Sequence, residues 1–257
     1  MQGLVESRPE PQVQSVARAL ELLCCFSSGR PEWGLTEIAS YLGFAKSVVS
    51  RLLQTLEYYG FVERMPSRRY RLGARALELG NVVRFNRKLL IRAEPALRKL
   101  AEETGSIAHL AQMDGRDVLE LLRCSGPGAI LFTPHPILRS AAHATALGKV
   151  LLAGVGQPGF ERFVGRRLRL EQFTPYTVSD PELLRQQLAE VTAQGYAISD
   201  QEARLGCRCI AAPVKDQSGA TLAAISISSS VENFGYEKLG ALLPKLSGAA
   251  RRIGLSL

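Results

Sequence analysis

Residues 45–60, AKSVVSRLLQTLEYYG, form a segment whose side chains indicate a specific chemistry. At 100° per residue, four apolar side chains fall on one face of a helix: Val49, Leu52, Leu53 and Leu56. The opposite face carries hydroxyl, amide, guanidinium and phenol groups and no carboxylate: Ser47, Ser50, Arg51, Gln54 and Tyr58. A solvated helix face usually mixes acidic and basic residues. This face, with Lys46 at its start, therefore favours an anionic partner.

A basic segment follows this helix. FVERMPSRRYRL, residues 61–72, has the pattern of two short strands that turn around residues 65–67. It carries four arginines: Arg64, Arg68, Arg69 and Arg71. Guanidinium groups on an exposed hairpin can neutralise phosphate charges, which adds affinity that does not depend on base sequence.

A second chemistry is indicated by SAAHATALGKVLLAG, residues 140–154. Thr145 is placed to cap a helix, and the N–H groups of Ala146, Leu147 and Gly148 would then have no acceptor inside that helix. The positive end of a helix dipole is a suitable seat for a carboxylate. An ordinary capped helix is the alternative interpretation of the same residues.

The segment YAISDQEARLGCRCIAAPV, residues 196–214, contains two thiols. Cys207 and Cys209 are two positions apart in a predicted strand and share one face, with core packing as the alternative. Their spacing relative to His109 and His143 differs from the C-x2-C pairs of structural zinc sites, so we predict no metal and no other cofactor. A thiol enzyme using Cys209 and His143 would need a lowered thiol pKa and a base within hydrogen-bond reach.

Composition and charge narrow the class of function. The chain has 257 residues, 46% of them hydrophobic and 22% charged, with a formal net charge of +8 that favours an anionic partner. It contains no G-x-G-x-x-G, P-loop, G-x-S-x-G or H-E-x-x-H motif, so we predict that it is not an enzyme. It has no membrane-length apolar run, no signal-peptide pattern at its start and an odd number of cysteines, five. These features predict a cytoplasmic protein with no membrane partner.

The polar helix face and the basic hairpin described above belong to a series of elements that predicts a DNA-binding domain. Residues 1–11 read as a flexible tail, and two helices, the second ending at Gly43, precede the helix described above. Three helices and a basic hairpin in this order are typical of a winged helix-turn-helix domain, here residues 12–73. We therefore predict contacts to double-stranded operator DNA from Lys46, Ser47, Ser50, Arg51, Gln54, Arg64, Arg68 and Arg69.

The rest of the chain predicts a second, α+β domain. Residues 74–90 read as a connecting helix whose apolar residues would pack on the DNA-binding domain or on a second subunit. Residues 91–257 then alternate strands and helices, with a hairpin at Asp114 and Gly115 and a helix capped by Asp180. A domain of this length can bury its own core.

Several separated motifs resemble the IclR (isocitrate lyase regulator) family of bacterial transcription regulators. They are SVARALELL and LTEIASYLGFAKSVVSRLLQTLEYYGFVER in the first domain, and HATALGKVLLA, FTPYTVSDPELLRQQLAEVTAQGYA and DQEARLGCRCIAAPVKD in the second. The resemblance covers essentially the whole chain after the tail. It implies an N-terminal winged helix-turn-helix, a C-terminal effector-binding domain with a GAF-like fold, and assembly into homodimers or dimers of dimers.

The resemblance also implies an effector pocket in the second domain. Its expected residues are Thr145, Ala146, Leu147 and Gly148 at a helix start, Ser199, Asp200 and Glu202 in an acidic segment, and Cys207 and Cys209 on a strand. The expected effector is a small organic acid. FTPYTVSDPE is similar to family members that control aromatic-acid catabolism, whereas other members respond to glyoxylate, pyruvate or sugar acids. Ala141 and Ala142 replace a Pro and a larger apolar residue often found there, which leaves the effector's identity open. The alternative function is a DNA-binding redox sensor that uses its thiols or a metal.

Overall fold

The computed structural model describes residues 13–27, 29–86, 88–129, 139–165 and 170–257, so the predicted tail, residues 1–11, lies outside the described residues. The chain divides into two compact units, Met1–Arg87 and Lys88–Leu257. The predicted boundaries after residues 73 and 90 stay predictions. Across the described ranges, no helix combines the length and the apolar character that a membrane span requires.

The described part of the first unit is a helix-turn-helix followed by a hairpin and a further helix. Its elements are α1 (Gln14–Leu23), α2 (Leu35–Leu42), α3 (Lys46–Tyr58), β1 (Val62–Arg64), β2 (Tyr70–Leu72) and α4 (Ala74–Asn86). The core includes Leu22, Ile38 and Leu53, which are fully buried. Gly43 ends α2 with a φ of +70°, a left-handed conformation that glycine adopts without strain.

The helix α4 differs from α1–α3 because none of its side chains between residues 74 and 83 is buried, whereas each of the other three helices contributes buried side chains to the core. Its exposed apolar side chains include Leu77, Leu79, Val82 and Val83. Leu90, which the sequence places on the same connecting helix, lies instead on the next helix and is buried in the core of the second unit. These apolar side chains of α4 are therefore left without cover by the described residues.

The second unit is built around one sheet. Its elements are α5 (Lys88–Thr104), β3 (Ile107–Asp114), β4 (Asp117–Ser125), β5 (Arg139–Ala141), a 3₁₀ turn (Ala142–Ala144), α6 (Ala146–Gly154), α7 (Gly156–Val164), α8 (Pro181–Gln194), β6 (Ala197–Asp200), β7 (Cys207–Lys215), β8 (Thr221–Ser230) and α9 (Tyr236–Leu255). The six described strands have the order β5-β4-β3-β8-β7-β6, and all neighbours are antiparallel.

Helices cover both faces of this sheet. Leu97 of α5 and Leu246 of α9 belong to the core on one face, together with Ile210 of β7. Ala211, the next residue on β7, belongs to the core on the other face, where α6, α7 and α8 pack. Successive side chains of a strand point to opposite faces, so the apolar run of β7 serves both cores.

Arg69, immediately before β2, connects the hairpin of the first unit to the start of α2. Its Nη2 donates to Oε2 of Glu37 at 2.9 Å and to the backbone carbonyl of Glu32 at 3.0 Å. The same Glu37 oxygen accepts the backbone N–H of Gly34 at 2.9 Å and lies 3.0 Å from Nη2 of Arg30. The hydrogen bonds from Gly34 and Arg69 lower the pKa of Glu37 to about 2.

A buried ion pair joins α6 to the loop between β6 and β7. Nζ of Lys149 lies 2.5 and 2.7 Å from the two carboxylate oxygens of Glu202, and the side chains are 3% and 8% exposed. Burial lowers the pKa of Lys149 below its usual value although the Glu202 carboxylate acts to raise it. Thr177 Oγ1 donates to the backbone carbonyl of Glu202 at 2.6 Å, and Thr174 Oγ1 donates to that of Gln201 at 2.7 Å. The loop is therefore held through both its side chain and its backbone.

We predict that Glu37→Gln destabilises the first unit at pH 7 and that this difference shrinks in acid. The folded-state pKa of about 2 lies below the ordinary 4.5, so ionised Glu37 stabilises the fold above about pH 4.5. That contribution is lost as the pH falls from 4.5 towards 2. Urea titrations at pH 7 and about pH 2.5, followed by fluorescence of Trp33, the single tryptophan, measure the difference. Glu57→Gln on the exposed side of α3 is the control, and an equal difference at both pH values would contradict the lowered pKa of Glu37.

We also predict that Lys149→Met destabilises the second unit by about 3–5 kcal/mol, because it leaves the Glu202 carboxylate buried without its partner. The double variant Lys149→Met/Glu202→Leu should recover much of this loss. Lys99→Met, which removes an exposed pair with Glu103, should change stability by less than about 1 kcal/mol. Denaturant titrations followed by circular dichroism test all three. A single variant as stable as wild type would show that the pair does not hold the loop.

Candidate functional site

The exposed face of α3 presents the donors that its sequence predicts. Lys46, Ser47, Arg51 and Gln54 are exposed and Ser50 is half-buried, whereas Val49, Leu53 and Leu56 are buried on the opposite face. The helix begins after Ala45, whose side chain cannot cap it, so the first N–H groups of α3 have no side-chain acceptor there. The face combines a helix N-terminus, a lysine, a guanidinium and an amide, which are groups that contact phosphates and base edges.

The arginines of the β1–β2 hairpin have different surroundings. Arg64 and Arg68 are exposed, and Arg68 lies at the turn with a φ of +60°. Arg71 pairs with Glu63 across the hairpin. Arg69 does not fit its predicted role as a phosphate contact, because its guanidinium already binds Glu37 and the Glu32 carbonyl. The guanidinium groups of Arg64 and Arg68 remain as the candidates for phosphate binding.

A cavity of about 180 Å³ lies beside the sheet of the second unit. The start of α6, the β6–β7 loop and strands β3, β4, β5, β7 and β8 form its walls. The lining residues are Ile107, His109, Glu120, Arg123, Ser140, Thr145, Ala146, Leu147, Ala203, Arg204, Cys207, Cys209, Ser226 and Ser228. Five of the nine predicted effector residues are among them: Thr145, Ala146, Leu147, Cys207 and Cys209.

The start of α6 forms one wall of the cavity. Thr145 caps the helix as predicted, because its Oγ1 accepts the backbone N–H of Gly148 at 3.1 Å. The Gly148 N–H is therefore not available to a ligand, and a Cβ at this position would lie 2.0 Å from the carbonyl oxygen of Ala142. Gly148 allows close backbone packing and does not line the cavity. The N–H groups of Ala146 and Leu147 have no acceptor inside the helix.

The two thiols of β7 share one face as predicted and lie side by side on the cavity wall. Their sulfur atoms are 3.8 Å apart. The hydrogen bond with Cys209 and the charge of Arg204 lower the pKa of Cys207, against the opposing effect of burial. The same hydrogen bond, together with burial, raises the pKa of Cys209. The pair therefore consists of one more acidic and one less acidic thiol.

The predicted acidic segment has a structural role and not a lining role. Ser199 Oγ donates to the carbonyl of Ala144 at 3.0 Å. Asp200 Oδ2 accepts from Nη2 of Arg208 at 2.8 Å and from the hydroxyl of Tyr236 at 2.7 Å. Glu202 pairs with the buried lysine of α6. Each of these side chains is already bound within the unit, so none of them forms the acidic end of the cavity.

Four charged or titratable residues of the cavity wall were not predicted as effector contacts: His109, Glu120, Arg123 and Arg204. His109 of β3 lies between Glu120 of β4 and Ser228 of β8, and Arg123 binds the same carboxylate. Polar residues at these positions interrupt otherwise apolar strands, and this interruption is the feature of the sequence that could have indicated the cluster. The strand pairing that brings His109 opposite Arg123 includes a bulge after Leu110, so the spacing along the chain does not show the cluster.

The described residues contain no group of three or more His, Cys, Asp or Glu side chains arranged to hold a metal ion. His143, which the sequence analysis considers as a metal ligand and as the base of a thiol enzyme, is buried. Its Nε2 lies 2.8 Å from the carbonyl oxygen of Glu171. Its ring also stacks on Phe173 at 5.8 Å between centroids. These contacts give His143 a place in the packing before α6.

Comparisons with known proteins agree with this two-unit architecture. The model of the IclR helix-turn-helix domain matches residues 15–66, and the model of the bacterial transcriptional regulator IclR C-terminal domain matches residues 83–255. The HTH-type transcriptional regulator XynR of Escherichia coli is 32% identical over 248 residues, which cover 96% of this chain and 98% of XynR. The HTH-type transcriptional regulator BhcR of Paracoccus denitrificans is 36% identical over 248 residues, 95% of this chain and 88% of BhcR.

Solved structures show the same fold. An IclR homologue from Microbacterium hydrocarbonoxydans, in complex with 4-hydroxybenzoate, aligns with a TM-score of 0.82 and 26% identity over 95% of this chain and 98% of that one.

The predicted α+β fold class, with an N-terminal helix-turn-helix and a C-terminal effector domain, is confirmed, as is the prediction that the chain is not an enzyme. The chain belongs to the IclR family of DNA-binding transcriptional regulators.

Proposed function

We propose that this regulator reads its operator with α3 and the β1–β2 hairpin, and that a small organic acid bound in the cavity of the second unit controls it. The observation that carries the proposal is the cavity, which combines a helix N-terminus and two arginines with an apolar wall. The DNA-binding face is supported by the exposed donors of α3. We propose that the protein acts in the cytoplasm, where its operator DNA lies.

On the DNA side, the proposed roles follow from side-chain chemistry. Arg51 can donate two hydrogen bonds to guanine, and Gln54 can form a bidentate pair with adenine. Lys46, Ser47 and Ser50 lie near the start of α3, where a phosphate would meet both the side chains and the helix dipole. Arg64 and Arg68 of the hairpin supply further charge neutralisation: their contribution carries no base preference.

On the effector side, size and charge define the ligand. An engineered apolar cavity of about 150 Å³ holds benzene, so about 180 Å³ admits one ring or a short chain with an acidic group. The carboxylate would bind the N–H groups of Ala146 and Leu147, with Arg204 nearby. Arg123 also lines the cavity, where Glu120 binds it. The 4-hydroxybenzoate complex of the related Microbacterium protein supports an aromatic acid as the effector class.

We further propose that the protein acts as a homodimer, which can pair again into a dimer of dimers. One recognition helix reads only a few base pairs, so a twofold assembly on a pseudo-palindromic operator would supply the remaining selectivity. The exposed apolar side chains of α4, among them Leu77 and Val82, are suited to contact a second copy of the chain. Two half-sites about 34 Å apart, or a multiple of that distance, are expected.

We predict that Arg51→Ala relaxes base preference and costs about 1–3 kcal/mol on the operator, because a bidentate base contact is lost. Arg68→Ala should weaken binding to all sequences and reduce the slope of log K against log salt by about one. Arg69→Ala should instead lower the stability of the first unit, since this arginine holds Glu37. Footprinting and salt titrations of the full chain measure these effects. If Arg51→Ala binds the operator like wild type, α3 does not read the major groove.

We predict that Leu147→Asp weakens binding of benzoate at least tenfold, because two negative charges about 4–5 Å apart repel by several kcal/mol near a protein surface. Val155→Asp, which places the same charge at the other end of α6 on an exposed residue, is the matched control. Cys209→Leu should weaken larger acids more than smaller ones, because it narrows the cavity. Calorimetry on the full chain tests both, with circular dichroism to verify folding. Unchanged affinity in Leu147→Asp and Cys209→Leu would place the effector elsewhere.

The alternative function, a DNA-binding redox sensor that uses its thiols or a metal, is tested with the same full chain and operator. The lowered pKa of Cys207 and the 3.8 Å distance between the two sulfur atoms are the observations in its favour. A Cys207→Ser/Cys209→Ser variant that still responds to the acid supports effector control. Loss of operator binding after peroxide treatment in wild type, and not in this variant, would support the redox sensor. Sensitivity of operator binding to a chelator would support a metal-based sensor.

A further inference from the structure

The two thiols of β7 are held side by side by the pairing of their strand. Cys209 lies opposite Ser199 of β6 and Ser228 of β8, and the register of β7 with β8 continues without a shift to Cys207. The strand is therefore extended here, so both side chains point to the same face, where they line the cavity. Both residues are half-buried, and their sulfur atoms lie 3.8 Å apart.

This spacing suits a bridging atom better than a direct bond between the sulfur atoms. A disulfide needs Cα atoms about 4.4–6.8 Å apart, and two steps along an extended strand, about 6.6 Å, reach the upper end of that range. Neighbouring strands on both sides of β7 oppose a bend that would bring the Cα atoms closer. An atom that bonds to both sulfur atoms at about 2.3 Å, as zinc does, holds them about 3.5–3.8 Å apart at bond angles of about 100–110°.

The surroundings of the thiols determine which kind of atom can bridge them. Among the described residues, no third His, Cys, Asp or Glu side chain completes a metal site with this pair. Glu202, whose charge acts on Cys209, is already bound by Lys149. A zinc ion, which takes four protein ligands in structural sites, is therefore poorly matched. Trivalent arsenic that carries one organic group needs only two sulfur ligands, and the adjacent cavity of about 180 Å³ has room for a group the size of benzene.

We propose that Cys207 and Cys209 form a dithiol site that captures monosubstituted trivalent arsenicals, a ligand class separate from the proposed organic acid. The two thiols replace the oxygen of R–As=O. Two S–As bonds form, the arsenic–oxygen bond breaks, and the two thiol hydrogens leave with the oxygen as water. Arsenic stays trivalent, so the step needs no oxidant or reductant.

The two thiols have different roles in this step. The pKa of Cys207 is lowered by the hydrogen bond with Cys209 and by the charge of Arg204, so Cys207 supplies the thiolate that attacks first. The second bond, from Cys209, then forms within one molecule, which raises the affinity far above that of a single thiol. Capture does not depend on the acid, because the sulfur atoms and not the N–H groups of α6 hold the ligand.

The other adjacent cysteines of the chain, Cys24 and Cys25, do not offer the same site. Cys25 is buried, its thiol donates to the carbonyl of Glu21 at 3.4 Å, and burial raises its pKa to about 11. Cys24 is exposed. This pair therefore presents one accessible thiol, from which an excess of a monothiol removes an arsenical.

The test uses phenylarsine oxide on the reduced full chain, in excess β-mercaptoethanol to remove the reagent from single thiols. In wild type we expect one equivalent to stay bound, with a mass gain equal to the reagent less one water. Peptide mapping should show Cys207 and Cys209 protected from iodoacetamide, and dimercaptopropanol, a competing dithiol, should release the reagent. Cys207→Ser and Cys209→Ser should each lower the affinity at least a hundredfold, because only one S–As bond remains.

Cys24→Ser is the matched control and should bind phenylarsine oxide like wild type. Should Cys209→Ser fail to fold by circular dichroism, Cys207→Ser decides alone. Tight binding that persists in Cys207→Ser, or that is lost in Cys24→Ser, would overturn the inference, because other thiols would then hold the arsenic. Complete removal of the reagent from wild type by β-mercaptoethanol would also overturn it. These outcomes leave the organic acid untouched, since calorimetry with benzoate tests the proposed function separately.

Discussion

The buried ion pair between Lys149 and Glu202 is the contact on which the geometry of the second unit depends. Lys149 lies one turn into α6, and Glu202 lies in the loop before β7. The N–H groups at the start of α6 and the thiols at the start of β7 line the same cavity, so the pair sets the distance between these two walls. A charge pair taken out of water is costly to break, because either charge left alone would be stranded in an apolar environment.

With the walls held in this way, the cavity has polar groups of opposite character. The start of α6 offers N–H donors and the positive end of a helix dipole, and the strands opposite carry the hydrogen-bonded side chains of His109, Glu120 and Ser228. Between them lie apolar side chains and the two sulfur atoms.

The first unit shows how one residue type takes different roles within a short hairpin. Arg68 and Arg69 are neighbours, yet Arg68 is exposed at the turn while Arg69 holds the start of α2 through Glu37. The acidic partner stands 32 residues away from Arg69 in the chain. Only one of the two guanidinium groups is therefore available for a phosphate, although both belong to the same basic run.

The sequence by itself determined the helices and hairpin of the first unit, the buried face of α3, the cap at Thr145 and the common face of Cys207 and Cys209, whereas β5 and α7 were not predicted. These features depend on residues a few positions apart, and helix and strand periodicity makes such relations visible in one dimension. The tertiary structure decided which side chains are left free. Glu202 and Arg69 are charged residues in the predicted places, but partners distant in the chain engage them, and His109 meets Glu120 and Ser228 only through strand pairing and a bulge. Burial and pairing between distant segments set these roles, and neither leaves a periodic signal in the sequence.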